Sequence, residues 1–210
     1  MWRLLQLADS AFPTGGFAHS GGLEAARTTK VEPFIVEAIT ATSHASLPII
    51  GAAWHAEDTA ELDAFTAATL WSHVAARASR TQGRAWIDVT ARAFGHPALV
   101  ELRRRVIAEE QPGHLAPMFG AVARALGITR DDAYVMFLHL TVRGLLSAAV
   151  RLGSIGPTEA QAIHARLTPV LDQALALART VTISDVAQTS PIAELVQAGH
   201  DRLYSRLFQS

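Results

Sequence analysis

The sequence predicts an all-α fold, a single-domain bundle of roughly eight to ten helices over residues 1–210. Three observations predict it. Alanine is abundant and runs of β-branched residues are few, which favours helix over strand. Apolar residues recur at helical spacing, and no segment alternates like a strand between turn residues. Glycine and proline fall between the periodic segments, where helices start and stop.

Taken in order, residues 2–8 form a short helix, and residues 9–22 form a loop holding one proline and four glycines. Residues 23–29 read as a helical turn or two. Pro33 suits the first position of a helix reaching Ser46, and Leu47-Pro48 opens another ending near His55. Asp58 and Glu61 read as a cap opening a helix through Ser79, with Gly83 interrupting or kinking the chain before residues 86–94. Gly95-His96-Pro97 makes a turn into a polar helix over 98–109, and Gln111-Pro112-Gly113 makes the next. Residues 115–126 end at Gly127, a C-terminal glycine stop. Thr129 and Asp132 open the central helix, which ends at Gly153. Gly156-Pro157 opens the next, crossed by Pro169. Residues 181–189 are an irregular connector, and Ser190-Pro191 caps a last helix running toward Phe208.

Composition narrows the function. At 210 residues the chain is one domain, burying roughly 70% of its unfolded surface. It has no cysteine, which excludes disulfides, thiolate metal sites, iron–sulfur clusters and cysteine nucleophiles. A net charge of −1 gives no general attraction to nucleic acid or anionic membrane. Only 18% of residues are charged while half are hydrophobic, so more apolar surface is expected than a solitary monomer shows. The N-terminal residues turn polar too soon for a signal peptide, and residues 135–152 carry His139, Arg143 and Arg151, which disfavour a membrane span. The expectation is a cytoplasmic protein with a partner.

In the central helix His139, Arg143, Ser147 and Arg151 fall four apart and form one slanting polar stripe. It is either a solvated edge or a polar seam facing a subunit interface or a wet interior, and Gly144 would let another helix approach closely. The loop from Phe12 to Glu24 is glycine-rich but lacks the lysine and preceding strand of a phosphate loop. Ala18-His19-Ser20-Gly21-Gly22 resembles a nucleophile elbow, which keeps a serine hydrolase using Ser20 as an alternative, though no strand leads into it. The other reading gives Ser20 a capping role and the loop, with two exposed-looking phenylalanines, a recognition role. The nine histidines are scattered and none forms a His-x-x-x-His pair, so no metal site, cofactor site or catalytic residue is predicted. The tail 199–210 places Leu203, Leu207 and Phe208 on one helical side, framed by Arg202, Tyr204 and Arg206, the makeup of an interface anchor.

Residues 4–10 and 12–24 closely resemble the opening signature of the F-type urease accessory protein family, UreF. The similarity continues through Arg77–Ala85, His114–Gly120, Arg143–Gly153 and the ending Gly199–Ser210. The resemblance implies an all-α, non-catalytic, homodimeric chaperone. It would bind the D-type (H-type) accessory protein and recruit and modulate the G-type GTPase. The assembly would deliver nickel to apo-urease, with no nucleic acid or membrane involved. It also implies that His200, Arg202, Leu203, Tyr204, Arg206, Leu207 and Phe208 engage the D-type partner. His19, Ser20, Glu24, Arg80, Arg84, Arg143 and Arg151 are candidates for dimer or GTPase contacts. A helical adaptor unrelated to urease is the remaining alternative.

Overall fold

A computed structural model describes residues 1–26 and 30–210. Among the described residues there is no strand. The helices are α1 (Trp2–Ala8), α2 (Leu23–Ala26), α3 (Val31–His44), α4 (Ser46–His55), α5 (Ala60–Thr69), α6 (His73–Phe94), α7 (Pro97–Ile107), α8 (Leu115–Ala125), α9 (Arg130–Arg151), α10 (Pro157–Arg166), α11 (Thr168–Ala178) and α12 (Pro191–Ala198). Short 3-10 turns cover Gly16–Ala18, Ile183–Asp185 and Gly199–Arg202. The all-α expectation holds, with twelve α-helices among the described residues against the roughly eight to ten expected. The expected extension of α2 to residue 29 lies outside the described residues.

The central helix α9 is the axis of the fold. Thr129 caps it, its hydroxyl accepting from the Asp132 amide at 3.1 Å. It packs against α1, α2, α3, α4, α8, α10 and α11. By length and composition alone α9 could cross a membrane. Its apolar residues, Met136, Leu138, Val142 and Leu146 among them, are instead buried in the protein core. An aromatic chain crosses that core: Phe12 meets Trp86 edge-on, Trp86 stacks on Phe119 at 4.7 Å, and Phe119 meets Phe137 edge-on. Phe12 is therefore partly buried and packed against the core, contrary to its exposed look in the sequence, whereas Phe17 is exposed.

Three expected boundaries fail for identifiable reasons. The helix expected through Ser79 stops at Thr69, and α6 starts afresh at His73, because Ser72 caps it by accepting from the Ala75 amide. Gly83 does not break α6. A β-carbon there would overlap the Gly113 carbonyl and come within 2.6 Å of His114 carbon and Leu115 nitrogen, so Gly83 lets the start of α8 pack directly on α6. The last helix ends at Ala198, and Ser190, at its N-cap position, makes no side-chain capping bond. The space at the missing β-carbon of Gly144 is open among the described residues of this chain.

A buried carboxylate fixes the α5–α8 junction. Asp63 accepts from the Gly113 amide at 2.6 Å and the His114 amide at 2.8 Å, tying α5 to the start of α8. Burial outweighs those two donors and pushes the Asp63 carboxyl above its usual range.

Candidate functional site

The tail does not continue as helix because its amides are claimed elsewhere. Glu24, on α2, accepts from the Leu207 amide at 2.6 Å and the Phe208 amide at 3.2 Å. The Gln209 amide donates to the Ala18 carbonyl at 2.8 Å. The Ser20 amide and hydroxyl both donate to the Ser210 carbonyl oxygen, at 2.6 and 2.9 Å. The tail after Arg202 thus lies along the glycine-rich loop, and Leu203, Leu207 and Phe208 share no helical side. Phe208 points into the core, while Leu207 is exposed and Tyr204 wholly so.

Glu24 is the hub of this contact. It also faces His200, whose Nε2 lies 2.8 Å from its carboxylate; His200 is fully buried and the Glu24 side chain only 10% exposed. Burial alone would push the Glu24 carboxyl up. The Leu207 amide, the His200 ring and the Phe208 amide outweigh it and hold the carboxyl below its ordinary value. His19 Nδ1 lies 2.6 Å from Ser210 Oγ. Burial, with Arg77 and His200 nearby, keeps its ring below the usual histidine range.

A second carboxylate ties the tail to α6. Asp201 accepts two hydrogen bonds from Arg77, at 2.8 and 3.0 Å, one from Arg206 at 3.1 Å, and lies 3.2 Å from His73 Nε2. The Arg77 bonds are the main reason its carboxyl sits below the usual range.

The stripe on α9 meets the chain's own N-terminal segment. Arg143 donates to the Ala8 carbonyl, and Arg151 donates to the Phe17 carbonyl while lying 4.4 Å over the Phe208 ring. His139 stacks on His164 of α10 at 5.5 Å. Ser147 faces a cavity of about 540 Å³ under the loop, lined also by Trp86, His19, Glu194 and Gln197. Glu194 Oε2 is buried there with no partner among the described residues, and burial raises its carboxyl.

This geometry removes the hydrolase alternative. Ser20 is fully buried, its hydroxyl is spent on Ser210 and on the Glu24 amide, and no strand precedes it. Among the described residues no three His, Asp or Glu side chains gather as a metal site.

The structure joins His19, Ser20, Glu24, Arg151, His200, Leu207 and Phe208 in one loop–tail contact. Arg143 lies further along α9. Arg80 and Arg84 stand exposed on α6, Arg84 donating to the Pro112 carbonyl at 3.0 Å. Arg202 is exposed and Leu203 half-buried. The reading of the sequence missed Asp201 and Arg77 as the second tie, and the Asp63 clamp. A single acid or arginine in a helix gives no spacing signal of a partner 50 to 124 residues away.

The family model described as UreF matches residues 26–168. Over its full length the chain is 35% identical to "Urease accessory protein F" of Arabidopsis thaliana, covering 92% of that protein. It is 31% identical to the protein of the same name from Oryza sativa subsp. japonica, with 99% of the chain and 84% of that protein aligned. It is 27% identical to "Urease accessory protein UreF" of Kocuria rhizophila, with 99% and 95% aligned.

Proposed function

The chain belongs to the UreF family of urease accessory proteins, and on that premise we propose that it is a dimeric scaffold of urease maturation in the cytoplasm. As a UreF accessory protein it is non-catalytic. In this reading it binds the D-type (H-type) accessory protein through its tail. It then recruits and modulates the G-type GTPase, so that nickel reaches apo-urease. Differential contacts with the GTPase in its nucleotide states would couple turnover to nickel release.

The observation that carries the reading is the division of the tail. His200 and Phe208 anchor it to its own domain, while Tyr204 at 105% and Leu207 at 52% relative exposure present an aromatic and an aliphatic side chain outward. Deleting the whole tail would also remove buried core, so it is a poor test. The better test substitutes only outward side chains. Tyr204→Ala with Leu207→Ala should weaken binding of the D-type protein of the same organism at least tenfold by calorimetric titration, with helix content unchanged. Unaltered affinity would overturn this role of the tail.

A further inference from the structure

Arginines in this protein follow a pattern that one surface breaks. Elsewhere the described arginines pair with a carboxylate or cap a carbonyl. Arg104 holds Glu101 and Glu110, Arg92 and Arg103 share Asp88, Arg105 meets Asp58, Arg166 meets Glu32 and Arg179 meets Asp131. Arg3, Arg124, Arg143 and Arg151 donate to carbonyls. Arg80 and Arg202 do neither: among the described residues they make no hydrogen bond or ion pair. Both are exposed.

Arg80 lies on α6, and Arg202 on the tail that Asp201 ties to α6. His73, Arg77, Arg80 and Arg84 recur at steps of four, three and four along α6, which places them in a single stripe. Asp201 joins that stripe to the tail, because Arg77 of α6 and Arg206 of the tail meet on the same Oδ1 oxygen. The α6 stripe and the tail docked on it together carry Arg77, Arg80, Arg84, Arg202 and Arg206 against one contacting carboxylate, Asp201. The whole chain has 18 basic and 19 acidic residues, so this excess is local and does not follow from composition. Exposed Tyr204 and Leu207 belong to the same tail.

We propose that α6 and the tail form one continuous basic surface that receives an acidic segment of the protein partner bound by the tail. This rests on the reading given under Proposed function and adds the chemistry and extent of the contact. Guanidiniums with free donors suit spaced carboxylates, which they bind in a bidentate manner. A nucleic acid fits less well. Its unbroken row of phosphates would have to pass the Asp201 carboxylate, and no aromatic ladder offers a stacking platform. Carboxylates on a peptide can be spaced to avoid Asp201.

Arg80→Glu with Arg202→Glu tests this without removing a hydrogen bond or ion pair among the described residues; Arg80 acts on the buried His114 ring only through its charge, so the comparison is made at about pH 7.5, where that ring is neutral. Helix content and thermal midpoint should match the parent. Affinity for the D-type protein should fall at least tenfold, recover in Arg80→Lys with Arg202→Lys, and in the parent decline steeply from 50 to about 500 mM salt, where screening is nearly complete. If the parent binds the D-type protein and the charge reversal leaves that affinity unchanged, this surface is refuted while the scaffold reading stands. If the parent ignores the D-type protein yet binds a fluorescein-labelled glutamate decapeptide that the reversed variant rejects, the surface stands and the assignment of its partner falls. A DNA duplex that displaces the decapeptide at lower concentration would overturn the preference for an acidic protein segment.

Discussion

Replacing Glu24 by alanine should release the tail while leaving the helical core folded. Glu24 accepts three hydrogen bonds, from His200 Nε2 at 2.8 Å, the Leu207 amide at 2.6 Å and the Phe208 amide at 3.2 Å. Hydrogen bonds to a charged acceptor contribute about 1.5–3 kcal/mol each, and a buried donor left alone costs about 1–3 kcal/mol. Leu207 is exposed, so its amide regains water; His200 is fully buried and cannot. The net loss in tail docking is then about 2–4 kcal/mol, which raises the undocked fraction by roughly 30- to 1000-fold. Amide hydrogen exchange reads this directly. Protection at Leu207, Phe208 and Gln209 should collapse in the variant, while amides in the middle of α9 keep theirs. Glu24→Gln retains one acceptor oxygen without the charge and should fall between. Unchanged protection at Leu207 and Phe208 in Glu24→Ala would refute the assignment of Glu24 as the hub.

Two further perturbations probe the scaffold beneath the tail. Gly83→Ala drives a β-carbon into the backbone of residues 113–115. Overpacking against backbone should cost about 3 kcal/mol and lower Tm by roughly 6–12 °C, whereas Gly156→Ala, which meets open space, should change little; equal midpoints would contradict the close approach of α6 and α8. His114 is 1% exposed, and burial, then Arg80 and Arg84, lowers its pKa to about 4 from 6.5. Because the folded value is depressed, the unfolded chain takes up the proton first. Stability should therefore be full above pH 6.5 and decline by about 3 kcal/mol as pH falls toward 4. Urea titrations of the parent and of His114→Gln should differ in slope by up to about one proton in that window. Parallel pH profiles would show that His114 titrates normally.

Much of the fold was legible because its signals are local. The central helix could be bounded from Thr129, Asp132 and Gly153, and α8 from the glycine at 127, whose amide returns to the Arg124 carbonyl at 3.0 Å. Errors arose where a distant group overrides the local pattern. Gly83 read as a break because glycine weakens an isolated helix, yet the residue is there for the turn at 113–115. The tail has helical spacing, but Glu24, more than 180 residues earlier, takes the Leu207 and Phe208 amides. The site was legible in its two sequence segments, the loop and the ending. Their union through Glu24 and Ser20, and the tie from Asp201 to α6, depend on tertiary proximity that no spacing rule encodes.

In the function proposed above, this member of the UreF family acts by assembly. Size-exclusion chromatography with light scattering tests it most directly, first on the chain alone and then with the D-type and G-type proteins of its own organism. The expected result is a dimer that takes up both partners symmetrically, the GTPase only when the D-type protein is present. A monomer that ignores both partners would contradict it.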